Sequence, residues 1–301
     1  MATDAEKRLW SGGKRFRALL KEGKPVVSPG VIDPLSALLV ESLGFECISL
    51  GGLIVAARIG TVEQVINLTD AVEAARLITK VTQAALMVDA EAGWGDNIGV
   101  ERTVREFEAA GVASIHIEDA RVPRRMQHTP MVSVEEMVGK IRVAKATQTD
   151  PDFFLTARTE AWESPGGGPD EVRRRLNAYA EAGADGLMPM VFDRDLAARL
   201  AEEFRGIPLV FASTTRRDPN PEMSVSEIAA MGYQIIVYAA VGMGSAAQAL
   251  VSIYGRLKTA GRVNVDPKEM TQIWDRINAV IGAPRYRQLE TEEREALTQP
   301  R

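Results

Sequence analysis

The feature that most constrains this chain is a rhythm. Eight short apolar runs alternate with longer stretches whose apolar residues recur at helical spacing. The runs are "PVVSPG" (25–30), "ECISLGG" (46–52), "ALMVDAE" (85–91), "SIHIEDA" (114–120), "FFLTART" (153–159), "GLMPMV" (186–191), "PLVFAS" (208–213) and "QIIVYAA" (234–240). Between them lie amphipathic patterns such as "AVEAARLITKVTQ" and "VERTVREFEAAG", which read as helices. In "EAAGVAS" and "EAGADG" a glycine stands just past such a helix, where a left-handed C-cap needs it. Eight strands alternating with helices predict an α/β chain closed into a (β/α)8 barrel. An open doubly wound sheet is the alternative, and the absence of G-x-G-x-x-G after the first strand argues against it.

The barrel is expected to occupy residues 1–261. Beyond it, "DPKEMTQIWDRINAVIG" and "LETEEREALTQPR" read as a helical extension over 262–301, not a second domain. The strongest breaker, "ESPGGGPDE" (163–171), predicts a loop after strand five. Charge and composition narrow the partners. With 36 basic against 41 acidic side chains and no basic block, the chain lacks the cationic face that nucleic acid demands. No apolar run is long enough to cross a membrane, and the first residues show no signal-peptide core. The lone Cys47 sits in an apolar run and reads as a small buried hydrophobe. These features lead us to expect a cytoplasmic protein.

In a parallel barrel, side chains at the C-terminal ends of the strands converge on one site. Asp89, Glu118 and Arg158 stand at such ends. Period two puts Glu91 on the face of Asp89, His116 on that of Glu118, and Glu160 on that of Arg158. Neighbouring strands lie about 4.8 Å apart, close enough for Asp89 and Glu118 to share one small cation. Carboxylates so close repel one another, and an oxygen-preferring dication relieves that. Helix capping and solvation are the plain alternatives for Glu91 and Asp119. The pair Gly51–Gly52 after strand two would let backbone amides approach an anion, or would simply make a tight turn.

At these residues the sequence resembles the isocitrate lyase/phosphoenolpyruvate mutase superfamily. The motif "VDAEAGWGDNIGVERTVREFEAAGVASIHIEDA" (88–120) carries most of the likeness, with "TARTEA" and "GADG" agreeing in order and spacing. The resemblance implies a (β/α)8 barrel and a Mg2+ ion, replaceable by Mn2+, that binds a 2-oxo or 2-hydroxy carboxylate. It also implies homodimers or homotetramers that exchange a C-terminal helix. Asp89, Glu91 and Glu118 match the metal site, with Glu91 in place of an aspartate. Arg158 matches the arginine that grips a substrate carboxylate; Gly51, Gly52 and Leu53 match the turn that holds substrate oxygens.

The departures bear on chemistry. Family lyases carry K-[KR]-C-G-H after strand four, where this chain has "RRMQH" (124–128). Met126 has no ionisable proton to deliver as a thiol does. Met190 and "ASTT" (212–215) stand where the lyases carry glutamate and N-x-x-E. This argues against a standard isocitrate or methylisocitrate lyase. The overall likeness is greatest to bacterial oxaloacetate decarboxylases, although a tyrosine and a histidine expected there align with Thr214 and Ala240. The expected activity is Mg2+-dependent carbon–carbon cleavage through an enolate, decarboxylation of an oxaloacetate-like acid first. A methylisocitrate- or dimethylmalate-lyase-like retro-aldol reaction with His128 or Tyr238 as the acid is the alternative. A catalytically silent metabolite-binding homologue is the reading from another class.

Overall fold

The computed structural model describes residues 9–122, 129–213 and 223–298. Each of the eight apolar runs contains one strand: β1 (Val26–Pro29), β2 (Cys47–Leu50), β3 (Ala85–Asp89), β4 (Ser114–Glu118), β5 (Phe154–Thr159), β6 (Gly186–Pro189), β7 (Val210–Ala212) and β8 (Ile235–Tyr238). All pairings between them are parallel. Strands β2 to β6 pair in sequence order, and β8 lies between β7 and β1. Parallel bridges Gly30↔Ser49 and Leu187↔Leu209 join the two groups, so the ladder runs from β1 round to β8 and back. This is the expected closed barrel, and its closure depends on a glycine. A Cβ on Gly30 would come within 2.0 Å of the Ala239 carbonyl oxygen, so only a bare backbone fits where β1 meets β8.

Alternation along each strand sorts the side chains into two layers. Outward residues such as Ile48, Leu86, Val88, Ile115, Ile117 and Leu155 pack beneath the surrounding helices. Inward residues form a smaller core of Val26, Cys47, Met87, Phe154, Met188, Val210 and Ile235. Helix Gly12–Lys21 joins this inner core through Phe16, whose ring meets Phe154 edge-on with centroids 5.0 Å apart. Along β3, β4 and β5 the inward series runs Met87–Asp89, Ser114–His116–Glu118 and Phe154–Thr156–Arg158. The interior therefore changes from packed hydrocarbon to charge toward the strands' C-terminal ends, and that polarity positions the site.

Two of the connecting helices begin at reciprocal capping boxes. Asn67 and Asp70 form a reciprocal capping box before Leu68–Thr79, and Asp33 with Ser36 does the same before Pro34–Ser42. After β8 the chain continues into helices Val241–Ala260, Pro267–Val280 and Ala283–Thr298. No described residue from 241 onward is buried. Among the described residues no helix is long and apolar enough to cross a membrane.

Candidate functional site

The charged ends of β3, β4 and β5 meet around one guanidinium. Arg158 Nη1 donates to Asp89 Oδ2 at 3.0 Å, and Nε donates to Glu160 Oε1 at 2.7 Å. Nη2 lies 3.2 Å from Glu118 Oε2 and also bonds Glu160. His116 Nε2 stands 3.4 Å from the same Asp89 oxygen. Strand register explains the convergence, because Asp89 pairs with His116 and Glu118 with Arg158 across neighbouring strands. Burial acts to raise the Asp89 carboxyl's pKa, but His116, Arg158 and a bond from the Glu91 amide together hold it well below the usual carboxylate range. Burial likewise opposes the charge on Arg158, and Glu160, Glu118 and Asp89 outweigh it, raising that pKa further.

A tight turn follows β3. Asp89 Oδ1 accepts from the Glu91 amide at 2.8 Å, and the Glu91 carbonyl accepts from the Glu118 amide at 2.8 Å. Glu91 and Trp94 both adopt φ near +47°, a left-handed conformation costly for residues with side chains. Buried Lys140 supports the turn from behind, donating to the Ala92 carbonyl at 2.9 Å. The strain places the Glu91 carboxylate against Gly52, where an added Cβ would lie 1.7 Å from Oε1. Glu63, from a short 3-10 turn after helix Gly52–Arg58, completes the group: Glu63, Asp89 and Glu91 each bring an oxygen within 4.8 Å of the others.

This donor set fits a hard dication. It offers only carboxylate oxygens, the ligands Mg2+ and Ca2+ favour. Asp89, Glu118 and Glu160 each meet Arg158, and Glu63 and Glu91 stand beside Asp89, so five carboxylates gather at this end of the barrel. So many carboxylate oxygens gathered in a buried site are a setting in which a divalent cation would be stabilised.

Beside this group lies a cavity of about 300 Å3 with two unlike walls. On the β2–β5 side it is lined by Ser49, Glu63, Asp89, His116 and Arg158, with Gly51, Gly52 and Leu53 at the helix start. On the β6–β8 side the described lining residues are Met188, Met190, Ala212, Ser213, Val237, Ala239 and Ala240, none of them titratable.

The expected residues distribute as follows. Asp89, Arg158, Gly51, Gly52 and Leu53 line the cavity; Glu91 joins Asp89 in the carboxylate group. Glu118 is fully buried and pairs with Arg158, outside the described cavity lining. Tyr238 follows inward-facing Val237 and packs with the outer layer, so it does not line the cavity. His128, Thr214, Met126, Arg216 and Arg217 lie outside the described residues. Glu63 escaped the sequence reading. Its loop has no periodicity, and only the general rule that acids in βα loops face the barrel mouth would have pointed to it.

Comparisons with known proteins show the family. Residues 16–257 match the model of the phosphoenolpyruvate phosphomutase family. The chain is 32% identical to 2,3-dimethylmalate lyase of Eubacterium barkeri over 290 residues, 92% of this chain and 96% of that protein. It is 32% identical to oxaloacetate decarboxylase of Pseudomonas fluorescens over 272 residues, 87% and 90% of the two chains. Among solved structures it superposes on oxaloacetate acetylhydrolase in complex with the inhibitor 3,3-difluorooxalacetate with a TM-score of 0.86 and 30% identity, covering 94% of this chain and 97% of that one.

Proposed function

The chain belongs to the phosphoenolpyruvate mutase/isocitrate lyase superfamily, and from that premise we propose that it is a Mg2+-dependent carbon–carbon lyase, decarboxylating an oxaloacetate-like 2-oxo acid. The observation that carries the choice of reaction is the asymmetry of the cavity. Its charged wall suits the end of the substrate that gains negative charge, and its apolar wall suits the end that loses it.

Glu63, Asp89 and Glu91 would hold the ion, with Mn2+ an acceptable substitute. When bound, such an ion supplies a Lewis acid for the 2-oxo and adjacent carboxylate oxygens. Arg158, lining the cavity, presents a cation whose planar fork suits a carboxylate. Gly51–Leu53 leave the start of their helix open to substrate oxygens. In decarboxylation the bond from C3 to its carboxylate breaks, its electron pair forms a C2–C3 double bond as the carbonyl pair moves onto the 2-oxo oxygen, and carbon dioxide leaves; C3 then takes a proton from water as the carbonyl re-forms. A carboxylate held against the apolar side chains of Met188, Met190, Ala212 and Val237 meets little there to stabilise its charge, which favours its departure as a neutral molecule. Retro-aldol cleavage needs in addition a base for a hydroxyl proton. His116, on the charged wall, is the described residue that supports that second reading.

We also infer that the C-terminal helices pack on a second copy of the chain, as a dimer or tetramer. Leu250, Val251, Tyr254, Trp274 and Tyr286 are exposed there, and helices with no buried residue gain little from folding alone.

The test is a screen with Mg2+ of oxaloacetate, substituted malates, methylisocitrate and phosphonopyruvate, with products identified directly. Pyruvate and carbon dioxide from oxaloacetate, abolished in Asp89→Ala, are expected. Fragments from a hydroxy acid would replace decarboxylation by the retro-aldol reading, and no turnover of any substrate would indicate a silent homologue.

A further inference from the structure

A second charged cluster lies behind the cavity and contributes nothing to its lining. Asp119, one residue beyond β4, is fully buried together with Thr159 and Tyr179, and Arg175 is 4% exposed. Asp119 Oδ2 accepts from Thr159 Oγ1 at 2.7 Å, Tyr179 OH at 2.8 Å and Arg175 Nη1 at 3.1 Å. Its Oδ1 accepts from the Glu160 amide at 3.0 Å. Arg175 is held from the other side by Glu171 at 2.7 Å and the Val132 carbonyl at 3.0 Å. Buried ion pairs seldom add stability over well-packed hydrocarbon, so a complete one invites the question of what it specifies.

The bonds indicate where it acts. Asp119 holds the last residue of β5 and the peptide that follows, and from that peptide the Glu160 side chain reaches back to Arg158 Nε at 2.7 Å. Tyr179 and Arg175 belong to helix Pro169–Glu181, so the cluster ties that helix to the end of the strand bearing the guanidinium. We propose that Asp119, Tyr179 and Arg175 are positioning residues for Arg158, acting through Glu160 to fix the angle at which the guanidinium faces the cavity. This rests on the reading that Arg158 meets a substrate carboxylate. Small displacements of such a group weaken a bidentate contact disproportionately, because both bonds must align at once.

The probe is oxalate, titrated calorimetrically into the full-length protein with saturating Mg2+. Tyr179→Phe removes one hydroxyl from the cluster and keeps the ring. It is expected to weaken oxalate binding about 3-fold or more, and Asp119→Asn about 10-fold or more. Arg158→Lys sets the scale of losing the fork. The double variant Asp119→Asn/Arg158→Lys is expected to bind little worse than Arg158→Lys alone, since both changes remove one interaction. Additive losses, or parental affinity in both folded cluster variants while Arg158→Lys is weakened, would overturn the proposal alone. Parental affinity in Arg158→Lys would overturn the reading of Arg158 and the proposal with it.

Discussion

Gly52→Ala tests the metal site with one methyl group. Gly52 is the first residue of a helix and does not take a positive φ, so alanine suits its backbone. The obstacle is the added Cβ, which would lie 1.7 Å from Glu91 Oε1, 2.9 Å from Glu91 Cδ and 3.1 Å from Glu63 Oε1. Restoring ordinary contact requires the Glu91 carboxylate to retreat by roughly 1.5 Å or more. Its backbone cannot follow easily, being held at φ +47° by bonds to Asp89 and Glu118. The side chain must therefore leave the position that brings it to Glu63 and Asp89. Losing even outer-shell partners typically costs a metal site 10- to 100-fold in affinity, so at least that range, about 1.4–2.7 kcal/mol, is expected here. Calorimetric titration with Mn2+ and Mg2+ measures it directly, and a thermal melt of the metal-free variant should show parental stability. Parental metal affinity in a folded Gly52→Ala protein would refute the assignment of Glu91 to the site.

Two further predictions concern stability. Phe16→Ala empties the space beneath the barrel floor against Phe154, and should cost about 3–5 kcal/mol in urea unfolding; a loss below about 1 kcal/mol would show that Phe16 does not fill the interior. Burial pushes the Cys47 thiol from its ordinary 9.0 up to about 12, against the weaker opposing bonds to Ser28 and Ile48. A raised folded-state value means stability is intact below pH 9.0 and falls as pH rises toward about 12, by up to about 1.4 kcal/mol per pH unit. Cys47→Ala should flatten that alkaline slope relative to the parent; an unchanged slope would mean the thiol is not desolvated.

How much of this was legible beforehand differs between fold and site. The eight runs and the glycines that end the helices foretold every strand, because apolar periodicity and caps are local properties of the chain. Asp89 and Arg158 were legible for a related reason: once strand ends are placed, a parallel barrel brings their inward residues to one mouth. Glu118 shows what register adds: its strand and face were foreseen, and its pairing with Arg158 follows from the register across β4 and β5. Tyr238 differs by one residue in phase: Val237 faces inward, so its neighbour faces out.

The sequence by itself therefore determined the barrel, the order of its strands and the chemistry concentrated at its mouth. Only the tertiary structure decided that Glu63 approaches Glu91 across Gly52, that one guanidinium gathers Asp89, Glu118 and Glu160, and that Asp119 is bound from behind by Arg175 and Tyr179. The physical reason is range. Periodicity and capping are interactions between residues a few positions apart, whereas these contacts join segments up to 69 positions apart, whose meeting depends on strand stagger and loop path.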